Sequence, residues 1–319
     1  MSAQAHWSRL AERGSGLGLR FVFVCQRLLG RRVTRTLLYP IVLYFFLTAA
    51  TAREASRSYL RQLKASRRPD LSLGWASSFR HFYAFAASGL DKLVAWSGRL
   101  DHDSVIFPQR AAFEALLASG KGAVLIGAHL GNLEMTRALA SDRRIAKINA
   151  VVYTDHAQRF SRTLEHANAN FGANLIQISS LGPDTAILLQ EKIDRGELIV
   201  IVGDRTPPGD VLREGGRIIE AEFLGRKAPF AVGPWILASL LNCPVYLFFC
   251  LPQDDGYCLH FEPFAEKIDL PRKSRQAALD GYVQRYADRL ADYCAIAPLQ
   301  WFNFFDYWKS GRSTATTSS

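Results

Sequence analysis

Several things are missing from this chain, and each absence closes off a class of protein. The five cysteines among its 319 residues (Cys25, Cys243, Cys250, Cys258 and Cys294) are odd in number and lack metal-ligand spacing. That argues against a zinc framework or a disulfide scaffold and points to free thiols in a reducing compartment. There is no zinc knuckle, RNP motif or Lys/Arg-rich recognition block, so the net charge of +10 does not mark a nucleic-acid binder. An acidic carrier protein or an anionic lipid surface suits that charge. No secretory signal with a small-residue cleavage site is expected, because the apolar run starts late and has arginines on both sides. No internal repeat is evident, and no metal or cofactor motif is complete. Asp101-His102-Asp103 resembles a metal-binding acidic triplet, but without a nucleotide motif nearby it reads as turn and cap chemistry.

What is present begins with basic, apolar helices. Residues 7 to 29 carry an apolar stripe through Trp7, Leu10, Leu17, Phe21, Cys25 and Leu28. At ~100° per residue, Arg9, Arg13, Arg20, Arg27 and Arg31 fall along one edge of it. That arrangement suits a helix lying in an anionic membrane surface, or a packed helix with a solvated face. Thr36 to Ala52 is uncharged and bracketed by Arg35 and Arg53, at the lower length limit for crossing a bilayer. The expectation is a membrane anchor at about 36–52 that spans or dips into one leaflet, with a buried core helix as the alternative. Basic and aromatic helices follow, with Trp75, Phe79, Phe82, Tyr83 and Phe85 at helical spacing, and residues 1–118 form an N-terminal helical region.

From Gly120 the texture changes. Apolar runs of strand length occur at Ala123–Ile126, Ile148–Tyr153, Asn174–Ile178, Leu198–Val202 and Val245–Cys250, with Tyr257–Phe261 as a further edge strand. Helical patterns fall at 133–140, 157–171, 184–195, 229–241 and 275–295. This alternation predicts an α/β fold over 119–309: a mostly parallel central sheet flanked by helices, preceded by the N-terminal membrane-associated helices. The Ser/Thr-rich tail 310–319 is expected to be disordered.

The chemistry concentrates where strands end. Val124 to Ile126 runs into Gly127-Ala128-His129-Leu130-Gly131-Asn132, and Glu134 lies in the first turn of the next predicted helix, with Asn132 as its N-cap. Ligands of open α/β sheets sit at such junctions. A carboxylate from Glu134 would fix the tautomer of the His129 ring and leave its other nitrogen to take a proton. Gly127 and Gly131 would let a substrate approach the backbone, and the N–H groups of Gly131 and Asn132 would meet an oxyanion. A second strand ends in Gly203-Asp204-Arg205-Thr206-Pro207-Pro208-Gly209, so Asp204 and Arg205 should emerge near His129. Then come Glu222-Phe223-Leu224-Gly225-Arg226-Lys227-Ala228-Pro229 and, opening the next strand, Asn242-Cys243-Pro244-Val245. Arg205, Arg217, Arg226 and Lys227 are candidates to hold a phosphate or carboxylate of an acceptor, or else part of a solvated basic loop.

In this order the motifs resemble the lysophospholipid acyltransferase superfamily, most closely its lipid A biosynthesis branch, over about residues 7 to 308. The resemblance implies transfer of a fatty acyl chain from acyl carrier protein or acyl-CoA to a hydroxyl or amine of a membrane lipid, without a cofactor. His129 and Glu134 take the positions of the family's His-x4-acid dyad. Asp204 and Arg205 match its second motif, and Phe223, Leu224 and Gly225 match its third, associated with acceptor binding or pocket shape. With Gly131, Asn132 and Arg226 these form the expected substrate-binding set. The implied location is the cytoplasmic side of a bacterial-type inner membrane. One departure is the C-terminal Gln300-Trp301-Phe302-Asn303-Phe304-Phe305-Asp306-Tyr307-Trp308, which lacks the basic cluster of the lipid A enzymes and leaves the acceptor open: lipid A-like, another glycolipid or a lysolipid. The same dyad could instead activate water in a thioesterase or lipid hydrolase, and a non-catalytic membrane-binding protein is the alternative outside enzymes.

Overall fold

Apolar runs with no polar face can persist only as strands covered on both sides, and the five such runs after Gly120 all enter one sheet. The structure is a computed structural model that describes residues 16–96, 105–132, 148–153, 175–178, 183–206, 218–254 and 256–308. Three helices come first: α1 (Gly16–Thr48), α2 (Ala50–Ser66) and α3 (Trp75–Trp96). Next are β1 (Val105–Ile106), α4 (Arg110–Ala118), β2 (Ala123–Gly127), β3 (Ile148–Tyr153), β4 (Leu175–Ile178), α5 (Pro183–Asp194) and β5 (Leu198–Val202). The hairpin β6 (Ile218–Phe223) and β7 (Arg226–Ala231) leads into α6 (Gly233–Leu241), β8 (Val245–Gln253), β9 (Gly256–Ala265) and α7 (Arg275–Ile296).

The main sheet has seven strands in the order β1-β9-β8-β2-β5-β3-β4. Every neighbouring pair is parallel except the antiparallel β8–β9 pair. β2 lies in the middle, and Val124, Leu125 and Ile126 have no exposed surface. On one face Ile126, Ile199, Ile201 and Phe249 pack with Tyr59 of α2, Trp235 of α6 and Tyr286 of α7. On the other, Leu125, Val200, Phe248 and Phe261 pack with Phe113 and Leu116 of α4. This is the layered α/β fold expected from the alternation of runs. Residues 105–118, grouped in sequence with the N-terminal helices, belong physically with the sheet: β1 pairs with β9 and α4 covers one face. All five cysteines are buried and unpaired.

Two further features differ from the expectation. The hairpin β6–β7 is a second, two-stranded sheet, and the helix predicted from 229 starts only at Gly233. Ile218–Phe223 alternates buried and exposed along its length, as a half-buried strand should. Pro229 is tolerated in β7 because a two-stranded sheet leaves an edge where its missing N–H is not needed. The predicted helices at 133–140 and 157–171, the triplet Asp101-His102-Asp103 and the tail 310–319 lie outside the described residues.

At the N-terminus no single helix among the described residues is long and apolar enough to cross a membrane. α1 kinks at Gly30 (φ 77°, ψ 174°) and ends at Thr48, where the chain turns through 96° into α2. Val33–Thr48 and Ala50–Ser66 have the length and composition of a span only when taken together as this bent pair. Arg53 closes the bend by donating to the terminal carbonyls of Phe46 and Leu47. One face of α1 packs through Leu38 and Val42 on Phe79, Phe82 and Leu90 of α3. Arg35 pairs with buried Asp91 at 2.9 Å, and Tyr257 of β9 donates to the same carboxylate at 2.7 Å, so α1, α3 and β9 share one ion.

His81 of α3 is fully buried and ties these helices to the C-terminal segment. Its Nε2–H donates to the Trp301 carbonyl at 2.9 Å, which fixes the tautomer, and Nδ1 accepts from Ser56 Oγ at 3.0 Å. Burial lowers its pKa to about 4, only partly offset by the bond to Trp301. Because the unfolded ring takes up a proton near pH 6.5 and the folded one only near 4, stability is full above pH 6.5 and falls between those values. The loss amounts to about 2 kcal/mol at pH 5. Thermal melting should therefore drop between pH 7 and pH 5, and His81→Gln, which keeps a donor and an acceptor but cannot titrate, should drop less.

Candidate active site

Parallel pairing of β2 with β5 sets Gly127 opposite Val202. The residues two positions beyond each, His129 and Asp204, therefore leave the sheet side by side. The Asp204 carboxylate has no exposed surface. One oxygen, Oδ1, lies 2.8 Å from His129 Nδ1, and the other, Oδ2, accepts the His129 backbone N–H at 3.0 Å. A carboxylate facing Nδ1 requires that nitrogen to carry the proton, so in the neutral ring the basic lone pair is on Nε2. Nε2 meets no hydrogen-bonding partner among the described residues, and the side chain is 30% exposed.

The rest of the site comes from Gln300–Asn303, after α7. This stretch runs beside the His129 turn: Phe302 N–H donates to the His129 carbonyl at 2.7 Å and Gly131 N–H to the Gln300 carbonyl at 2.9 Å. It delivers two more donors to Asp204 Oδ2, Trp301 Nε1–H at 3.1 Å and Asn303 Nδ2–H at 2.9 Å. Arg205 donates from Nε to Asn303 Oδ1 at 2.8 Å and from Nη2 to the Phe302 carbonyl at 3.0 Å. The segment that sequence marked only as a departure is thus the third wall of the site. A signal was available in Trp301 and Asn303, polar-tipped residues inside an aromatic run, where buried N–H groups need partners.

Burial lowers the His129 pKa below its usual 6.5, the charge of Arg205 adds to this, and Asp204 offsets part of it. For Asp204, burial alone would raise the pKa, but the attraction and hydrogen bond of His129, with Arg205 and Asn303, bring it down to about 2. At neutral pH the pair is a neutral imidazole on an anionic carboxylate, ready to accept a proton at Nε2. Burial drives the nearby Cys250 thiol well up, so it is not available as a thiolate.

The other expected site residues are divided by the structure. Glu134, expected to hold the ring, lies outside the described residues, and the carboxylate that faces the ring at Nδ1 is that of Asp204. The N–H groups of Gly131 and Asn132 donate within the fold, to the Gln300 and Cys250 carbonyls. Gly131 (φ +70°) is required by the close approach of β8, since a Cβ there would lie 2.1 Å from the Cys250 oxygen. The described donors of Arg205 clamp the C-terminal segment instead of pointing to an acceptor. Phe223 is buried against Trp301, Tyr307 and Trp308. Leu224 (φ 52°) and Gly225 (φ 78°) are the left-handed residues of the β6–β7 turn, as tight hairpins need. Arg226 and Lys227 are exposed, with Arg226 over the Trp308 ring, and Arg217 lies outside the described residues.

The model of the family described as bacterial lipid A biosynthesis acyltransferase matches residues 99–310, two-thirds of the chain and the whole of the sheet and site just described. The chain belongs to that family, which supports acyltransferase activity toward a lipid. Among curated proteins, none matches the chain.

Gly131→Ala should cost more than about 1 kcal/mol, because both the backbone angle and the space forbid a Cβ. A lowered melting temperature would be the readout, and an unchanged one would contradict the close β8 contact.

Proposed function

We propose that the chain moves a fatty acyl group from an acyl thioester, carried on acyl carrier protein or coenzyme A, to a hydroxyl or amine of a membrane lipid. The observation that supports this most strongly is the His129–Asp204 pair, 2.8 Å apart, with Nε2 unengaged among the described residues at the mouth of the sheet. The acceptor O–H or N–H gives its proton to Nε2 as its oxygen or nitrogen bonds to the thioester carbonyl carbon. Asp204 stabilises the imidazolium, as the third member of a catalytic triad does. The tetrahedral adduct collapses, the C–S bond breaks, and the leaving thiolate takes the proton back from Nε2. Transfer is direct, with no acyl-enzyme. Glu134 belongs to the same constellation by its position in the family motif.

Contact with the membrane is part of the proposal. Tyr39, Leu43 and Leu47 form an outward stripe on α1 at helical spacing, with Tyr44 beside it, all exposed. Exposed Phe85 packs edge-on against Phe302, the residue bonded to the His129 carbonyl, so apolar surface reaches the site. Such a stripe beside basic side chains suits the inner face of an anionic bilayer, with the catalytic sheet on the cytoplasmic side.

Supplied with acyl carrier thioester and membrane lipid from cells lacking the gene, the protein should yield an acylated lipid, read by mass spectrometry. Free fatty acid alone would point to a hydrolase. His129→Ala and Asp204→Asn should each lower transfer by roughly 10²–10⁴-fold while the fold persists; near wild-type transfer in either would remove the base assignment. For the wild type, kcat/KM should rise with pH through a His129 pKa below 6.5 and level off above it. A limb that rises only above pH 7.5 would contradict a neutral resting ring. Leu43→Glu with Leu47→Glu should abolish flotation with phosphatidylglycerol-containing vesicles; persistence of flotation would place the lipid contact elsewhere.

A further inference from the structure

We propose that Asn303 is a positioning residue for this transfer, acting on His129 through Asp204 and held in its own orientation by Arg205. The inference rests on the reading of His129 as the base and adds what fixes the tautomer of that base. Asn303 is 1% exposed and both ends of its amide are engaged: Nδ2 donates to Asp204 Oδ2 and Oδ1 accepts from Arg205 Nε. Flipping the amide would set its oxygen against a carboxylate and its NH₂ against a guanidinium, so Arg205 leaves one orientation.

The consequence falls on the two oxygens of Asp204. Oδ2 takes three N–H groups, from the His129 backbone, Trp301 and Asn303. The lone pairs on that side are then occupied, and Oδ1 is the oxygen presented to the ring N–H. Of the three donors, the backbone N–H ties Oδ2 to the His129 main chain, while Trp301 and Asn303 tie it to the C-terminal segment. The C-terminal segment supplies the second anchor, and Asn303 makes the shorter of its two bonds to Oδ2. Without that bond Oδ2 keeps two donors instead of three, the carboxylate torsion is held less tightly, and the constraint that keeps the ring proton on Nδ1 and its lone pair on Nε2 weakens. The chain Arg205–Asn303–Asp204–His129 thus joins residues after β2, after β5 and after α7 into one hydrogen-bonded line.

The test needs no substrate. The full chain is labelled with ring ¹⁵N-histidine in detergent micelles, and the His129 signals are assigned by their loss in His129→Gln. The wild type should show one neutral tautomer, protonated at Nδ1. Asn303→Leu should show mixed tautomers at His129 with the other histidine signals unmoved. Asn303→Asp keeps the size and the Arg205 partner but turns a donor into an acceptor against Asp204, and should raise the His129 pKa by about one unit or more. A wild-type tautomer in folded Asn303→Leu, or an unchanged pKa in Asn303→Asp, overturns the proposal; if Asn303→Leu does not fold, Asn303→Asp decides alone. Absence of acyl transfer by the wild type would instead strike the reaction, leaving the ring measurements to stand or fall separately.

Discussion

A carboxylate sealed from water and still ionised must be met by donors on every side, and that constraint at Asp204 shapes most of the site. Leaving such an ion unpaired would cost several kcal/mol, more than one surface interaction can offset. Four N–H groups meet it, from the His129 backbone, the His129 ring, Trp301 and Asn303. They come from two distant stretches of chain, and Asp204 itself leaves a third. The site therefore exists only when the sheet register is correct and the segment after α7 has closed over it. Removing any of the donors disturbs both stability and the state of the ring.

The same closing segment couples the N-terminal helices to the chemistry. Trp301 donates to Asp204 through its indole and accepts from His81 of α3 through its carbonyl. His81 in turn is bonded to Ser56 of α2, which lies directly beyond the bend that ends α1. The helices on either side of that bend and a proton-accepting ring are thus joined by one buried hydrogen-bond path. A change at the N-terminal bend therefore has a direct route to the Asp204 carboxylate.

Much of the fold was legible because its signal is local. The five apolar runs from Ala123 to Cys250 all become strands, four of them within a residue of their expected ends and the fifth running on to Gln253, and helix 275–295 is α7. The junction at His129 and the emergence of Asp204 nearby also followed from parallel strands ending on one edge. The pairing itself was not legible in that detail. Glu134 is close to His129 in sequence, whereas Asp204 is brought to it by register, and register is a tertiary fact. The structural contacts of Gly131, Arg205 and Phe223 were hidden for the same reason. Each answers a neighbour far along the chain: the Cys250 carbonyl, Asn303 and Trp301 respectively. The hairpin β6–β7 was hidden because Ala228-Pro229-Phe230-Ala231 reads as the start of the apolar helix that follows it.

The central claim is that His129, oriented by Asp204, faces the reacting thioester with Nε2. A structure with a non-hydrolysable acyl thioester analogue and lipid acceptor bound would test it most directly. The expected result is an acceptor oxygen or nitrogen within about 2.6–3.2 Å of Nε2, beside the carbonyl carbon, with the Nδ1–Asp204 bond intact. A thioester bound away from His129, or a ring turned from Asp204 when substrate is present, would contradict it.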